Sequence, residues 1–221
     1  MIELKRATYK AMKYACLHFH YAKAIPQAPI GYNVYEDNEW CGCVLFARGA
    51  SPVLGKSFGL NQGEYVELVR VALNGKQKYT SQVVSAALKE LKKESPAVKM
   101  VFSYADENQQ HLGIIYQATN FLYVGEGGDM RLIYVNGKLT HNKTLNNECK
   151  RRGLVLSEDS WKILHPDIIV KPAKPKHKYL YFFDKRLKRK FEYLKIPYPK
   201  NEGWTKIDRS IYKRKEEQNA K

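Results

Sequence analysis

A chain of 221 residues has room for one sizeable domain and an appendage, and 44% hydrophobic residues give it material for a core. A net charge of +16 implies a polyanionic partner, nucleic acid before membrane. No apolar run reaches the ~18 residues a spanning helix needs, and the opening MIELKRATYKAMKY lacks the apolar stretch and cleavage site of a signal peptide, so a cytoplasmic protein is expected. The charge is uneven. Residues 171–221 hold 17 Lys/Arg against 6 Asp/Glu, a net +11, which leaves +5 for the first 170. The expected organisation is a globular domain over residues 1–140 and a basic region over 141–221, partly docked on it. The cysteines are Cys16, Cys41, Cys43 and Cys149. Cys41 and Cys43 fall two apart on an expected strand, which makes a poor metal clip and a poor disulfide, so all four are read as free thiols.

In chain order, residues 3–18 read as a helix and 19–30 as a loop with His20, Tyr21, Pro26 and Pro29. Residues 31–36 and 40–48 read as strands around an Asp37-Asn38 turn, a hairpin. A Gly/Ser/Pro-rich loop covers Gly49 to Gly63, and EYVELVRVAL at 64–73 is a long strand. NGKQKYT at 74–80 is a turn. Residues 81–94 are an amphipathic helix with Val84, Ala87, Leu88 and Leu91 on one face. After a strand ending at Asp106, Leu112, Ile115, Thr119 and Leu122 recur at helical spacing. Strands at 121–126 and 130–135 and a basic helix at 143–153 follow.

Two places carry chemistry. Asp106, His111 and Tyr116 gather beyond the carboxyl end of a strand, where open α/β sheets bind ligands. The plain alternative is that Asp106 caps a helix and Tyr116 packs in the core. The other place is the turn between the long strand and the helix at 81–94. Backbone N–H groups at a helix start, with Lys76, Lys78, Thr80 and Ser81, suit a phosphate. No Walker pattern is present, which leaves a pyrophosphate held without metal, as in a coenzyme A derivative. The alternative is an ordinary turn with solvated lysines.

The order helix, hairpin, long strand, phosphate turn, helix, strand, helix, strand resembles the N-acetyltransferase (GNAT) superfamily, with its glycine-rich loop degraded to NGKQKYTS. More closely, His20-Tyr21, Tyr35, ELVRVAL with Arg70, Ser81, SYAD with Asp106, HLGIIYQATNF with His111, Tyr116 and Asn120, and the late KYLYFFD and KIPYPK resemble the Mom family of phage DNA-modification proteins over roughly residues 18–200. The resemblance implies a GNAT-like α/β fold: a mixed, mostly antiparallel sheet flanked by helices. It implies conversion of adenine N6 in phage DNA to a carbamoylmethyl derivative, which shields the genome from host restriction enzymes. It also implies acetyl-coenzyme A and iron as cofactors, with His20, Asp106 and Tyr116 matching the proposed catalytic and metal positions. Arg70 is expected to support the phosphate turn.

The chemistry can also be stated from the residues. Adenine N6 is a weak nucleophile whose proton needs an acceptor, and a carboxylate such as Asp106 supplies one. His20, Asp106 and Tyr116 are N/O donors of the kind iron accepts. Base and ligand both stay open for Asp106. His18 is read as surface or filler. N6 lies inside the base pair of double-stranded DNA, so the adenine must be flipped out. Tyr21, Tyr35 and Tyr116 are candidate stacking surfaces, and His111 and Asn120 candidate contacts. Arg186, Lys188, Arg189 and Lys190 lie in a stretch that alternates basic and aromatic residues, suited to gripping phosphates. Two other readings stay open: an acetyltransferase acting on a protein or small amine, and an inactive GNAT fold that binds nucleic acid. The oligomeric state is open, a dimer included.

Overall fold

The computed structural model describes residues 1–49, 54–127 and 130–200. Its centre is a seven-stranded sheet. In chain order the strands are β1 (Ile2–Arg6), β2 (Ile30–Glu36), β3 (Glu39–Ala47), β4 (Tyr65–Leu73), β5 (Met100–Asp106), β6 (Leu122–Glu126) and, much later, β10 (Lys176–Phe182). Their spatial order is β1-β2-β3-β4-β5-β10-β6. Only the β4–β5 pairing is parallel.

Helix α1 (Tyr9–Phe19) covers one face, packing Met12, Ala15 and Cys16 on Cys43, Leu45 and Ala72. Helix α2 (Thr80–Glu94) covers the other. Its Val83, Val84, Ala87, Leu88 and Leu91 meet Tyr32, Val34, Val44, Phe46 and Leu68. Each Val or Leu among them, once buried, stabilises the fold by roughly 1.5–3 kcal/mol. Cys41 and Cys43 would share one face of a regular strand, but the register of β3 on β2 shifts between Gly42 and Trp40, and this bulge at Cys41 puts the two in opposite layers; all four cysteines are free and buried. Burial, and then the nearby Cys16, push the Cys43 thiol up to about 12.

The expected helix over 3–18 divides. Residues 2–6 alternate in burial and pair with β2 as the edge of the sheet. The helix begins only after Thr8, whose hydroxyl accepts from the Ala11 amide. A strand of five residues and the first turns of a helix were merged because Leu4, Ala7 and Ala11 satisfy a helical spacing equally well.

The expected helix after Asp106 is also shorter. A 3-10 turn covers Glu107–Gln109, and only α3 (Ile114–Gln117) is helical before β6. Positive φ values at Gln110 (58°), Gly113 (73°) and Asn120 (61°) interrupt the spacing. At Gly113 a Cβ would sit 2.4 Å from the Tyr179 ring, so the apolar periodicity yields to a close approach of β10.

A second, three-stranded sheet of β7 (Met130–Val135), β8 (Lys138–Thr140) and β9 (Ile169–Ala173) has the order β8-β7-β9. Helices α4 (Asn142–Arg151) and α5 (Glu158–Leu164) close it around Ile133, Leu145, Cys149 and Trp161. The chain then returns to the main sheet as β10, and α6 (Lys185–Phe191) packs its Leu187 and Phe191 on that sheet. The basic, aromatic-rich segment is therefore structural in its aromatics. Tyr179, Phe182 and Phe191 are buried, while Tyr193 is exposed. Residues 201–221 of the expected basic region lie outside the described residues.

Candidate functional site

Strands β4 and β5 pair only over Tyr65–Glu67 and Met100–Phe102. Beyond that point the two strands part. Ser103, fully buried, donates its hydroxyl to the Leu68 carbonyl at 2.8 Å, which satisfies a backbone acceptor freed by the split. Past the split, β4 carries Arg70 and β5 ends in Asp106. The carboxyl end of α1 delivers His20 and Tyr21 to the same place.

These residues converge. The His20 and Tyr21 rings stack at 4.4 Å, and the Tyr21 ring meets His111 edge-on at 5.7 Å. Arg70 donates to the Ala24 carbonyl at 3.3 Å and to the Val69 carbonyl at 2.7 Å, which pins the 20s loop to β4. Its charge acts on His20, Tyr21 and Tyr116. Arg70 thus belongs to this cluster and not, as expected, to the phosphate turn. Residue 70 faces the α1 side of β4, and sequence spacing alone does not say which neighbour it meets.

The electrostatics assign protons. Burial lowers the His20 pKa to about 4, with Arg70, His111 and Lys23 adding to the effect, so the ring is neutral. Its Nδ1 accepts the Ala22 amide at 3.1 Å, so Nε2 carries the hydrogen and His20 is a donor. Burial pushes the Asp106 carboxyl up, but hydrogen bonds from Asn108 and the charge of Lys176 outweigh it and hold the group below its ordinary value. Asp106 Oδ1 accepts from the Asn108 backbone and side chain at 3.0 Å, and Oδ2 lies 3.2 Å from Lys176 Nζ. Asp106 is therefore both the cap of the following turn and an ionised group at the site. Burial raises the Tyr21 hydroxyl, and Asp106 raises it further.

Tyr116 takes the plain alternative and packs in the core. It is buried between Phe121 (5.3 Å) and Tyr179 (5.2 Å), so its ring is no stacking surface for a base. Burial drives its hydroxyl to about 12, against a hydrogen bond with the Ser103 hydroxyl that lowers it. In the structure the three groups are held by other partners: His20 Nδ1 accepts the Ala22 amide, Asp106 Oδ1 and Oδ2 are engaged by Asn108 and Lys176, and burial raises the Tyr116 hydroxyl.

The phosphate turn is engaged by the protein's own acids. The Lys78 amide donates to Glu36 at 2.7 Å, and Lys76 Nζ pairs with Glu39 at 2.9 Å. The Lys76 amide donates to Asn74, and the Thr80 hydroxyl accepts from Gln77. Ser81 lies in the first turn of α2, which has no side-chain cap. A pyrophosphate bound here would compete with Glu36 for the Lys78 amide.

Tyr35 lies on β2, its ring 5.2 Å from Lys5 Nζ. Asn120 is exposed at positive φ and serves the turn before β6. Arg186, Lys188, Arg189 and Lys190 line α6, whose start Asp184 caps through the Arg186 and Leu187 amides. His18 is exposed and stacks on Tyr14 at 4.1 Å. Sequence reasoning missed Lys176 and Ser103. Ser103 was visible as the polar residue in an apolar strand. Lys176 had no local signal, because only the register Lys176–Asp106 of β10 on β5 joins them.

Beside the 20s loop is an open cleft of about 660 Å³, lined by Ile25, Gln27, His141, Lys143 and Asn147. No helix among the described residues is long and apolar enough to cross a membrane.

Among solved structures, the fold is similar to an aminoglycoside acetyltransferase in complex with coenzyme A (TM-score 0.47, 10% identity, 87% of this chain and 99% of that one). It is also similar to a Bacillus subtilis acetyltransferase in complex with CoA (TM-score 0.44, 12% identity, 83% and 98%). In sequence, the methylcarbamoylase mom of Escherichia phage Mu is 26% identical over 193 residues, 82% of this chain and 76% of that protein. The family model described as the Mom protein family matches residues 1–200, a span that takes in the whole cluster around Asp106 together with β10, which completes it. The chain belongs to the Mom family.

Proposed function

We propose that the chain is a transferase that modifies adenine N6 in phage DNA, adding a carbamoylmethyl group, and so protects that DNA from restriction. The observation that carries this reading is the cluster of His20, Tyr21, Arg70, Asp106 and His111 at the parting of β4 and β5. Family membership and the name of the phage Mu relative give it its chemical direction.

Each residue then has a task. Tyr21, half exposed and backed by His20, offers its face to a flipped purine. His20 donates through Nε2 to an acceptor nitrogen of the ring, and Asp106 accepts the N6 proton as the new bond forms. An ionised carboxylate held low is a weak base in the resting state. It becomes competent because N6 grows acidic as its lone pair is committed. Arg70 balances negative charge that develops beside His20. Helix α6 grips the DNA backbone through Arg186, Lys188, Arg189 and Lys190. Acetyl-coenzyme A is proposed as a ligand at the start of α2, in competition with Glu36, and no step is derived through it. Iron is not assigned to His20, Asp106 and Tyr116.

The test is mass spectrometry of nucleosides from DNA of cells expressing the chain. Carbamoylmethyl-deoxyadenosine is expected with the wild type and absent with Asp106→Asn. DNA that binds the protein yet carries no modified adenine would overturn the reading.

A further inference from the structure

Three strand ends lie side by side at one edge of the main sheet. Glu107 directly follows β5, His177 lies in β10, and Glu126 ends β6. Because β10 runs between the other two, its register sets His177 opposite both Ala105 and Glu126. One carboxylate oxygen of each glutamate and one ring nitrogen of His177 lie within 4.8 Å of one another. His177 Nε2 is 3.8 Å from Glu107, and Nδ1 is 3.7 Å from Glu126.

His177 is 3% exposed, and its Nε2 has no hydrogen-bond partner. A buried ring nitrogen left unpaired destabilises the fold, because the desolvation of its lone pair is not repaid. A gap of 3.8 Å is too long for a hydrogen bond. It is close to the spacing of two ligands on one tetrahedral ion, about 3.4 Å for bonds of about 2.1 Å. His177 Nδ1 lies 3.0 Å from the Tyr123 hydroxyl. With Nδ1–H donating to that oxygen, Nε2 presents a lone pair toward Glu107. A hydrogen bond from the far ring nitrogen is what orients a metal-bound imidazole. Lys174 Nζ pairs with the other oxygen of Glu107 at 2.9 Å and leaves the facing one available.

We propose that Glu107, Glu126 and His177 form a binding site for a divalent first-row transition cation. One imidazole and two carboxylates are a mixed N/O set of the kind zinc, manganese and ferrous iron accept. The cation sits one residue beyond Asp106. By holding Glu107 to β10 and β6 it fixes the turn that Asp106 caps. The site stands independently of any reading of the reaction.

The full chain, stripped with chelator, is titrated with Co²⁺ and then Zn²⁺. One Co²⁺ per chain with visible d–d bands is expected, displaced by Zn²⁺, together with a rise in melting temperature. Glu126→Gln, at a half-exposed position that leaves the metal-free fold unchanged, should weaken binding at least tenfold, and His177→Gln should do the same. His20→Gln should leave the affinity unchanged. Failure to bind one equivalent overturns the proposal. So does an affinity that Glu126→Gln leaves within about twofold.

Discussion

Asp106 ends a strand, caps a turn and pairs with Lys176, and a single substitution separates these roles. Asn at this position still accepts the Asn108 amide, so the cap survives. The pairing with partly exposed Lys176 is lost, at a cost below about 1 kcal/mol. As a proton acceptor, however, Asn fails, and activity should fall by about 10²–10⁴. Adenine modification and thermal melts of Asp106→Asn measure both. A folded variant with full activity would leave Asp106 as a cap alone. His20 yields a prediction with a definite sign. Its folded pKa, about 4, lies below the ordinary 6.5. Between those values the unfolded chain binds a proton that the folded chain does not, so stability falls as pH drops through this window. His20→Gln should flatten that fall. An NMR titration of the ring with a midpoint near the ordinary 6.5 would contradict the burial on which the donor role depends.

At the scale of elements, the turn before α2 and the segment before α3 make opposite points. In the turn, Glu36 stands where an anion would bind. Glu36→Gln removes that competing charge and should strengthen acetyl-coenzyme A binding severalfold by calorimetry, while an unchanged affinity would place the coenzyme elsewhere. In the segment before α3, Gly113→Ala meets both a positive φ and the Tyr179 ring. It should lose about 1–3 kcal/mol, read from denaturant unfolding. Helix α6 gives a third test. Replacing Arg186, Lys188, Arg189 and Lys190 by Ala should weaken DNA binding evenly across sequences. The salt slope should fall by about 0.9 for each phosphate that is no longer neutralised. An unchanged slope would remove α6 from the interface. Strands β2 to β6, α2 and the polar cluster were legible in the sequence because each is written locally, in alternation, in helical spacing or in a polar loop; β1 and β10 were not. The breaks at Gln110, Gly113 and Asn120 were not, since β10, far later in the chain, imposes the one at Gly113. The same distance hid Lys176.

For the whole molecule, the decisive fact is that the late, basic segment is part of the central sheet. β10 hydrogen-bonds to β5 on one side and β6 on the other. Ending the chain after residue 173 should therefore unfold the domain, visible as lost near-UV circular dichroism. A soluble fragment with native dichroism would show that the segment is dispensable. The fold thus ties any grip on DNA through α6 to the strand that precedes it. Charge and core cannot be varied separately there, except on the exposed face of α6.

That inserted strand also bears on how the protein is made. During synthesis β5 and β6 leave the ribosome with a vacancy between them, and roughly fifty further residues must emerge before it is filled. Until then two apolar edges stand open, the arrangement most prone to pairing with another chain. The separation of the partners also favours slow folding, since distant parts of the chain must meet before they stabilise anything. Asp106 meets Lys176 only at that last step, so until then its carboxylate lacks its cationic partner. The surroundings of Asp106 are complete only once that single strand has docked.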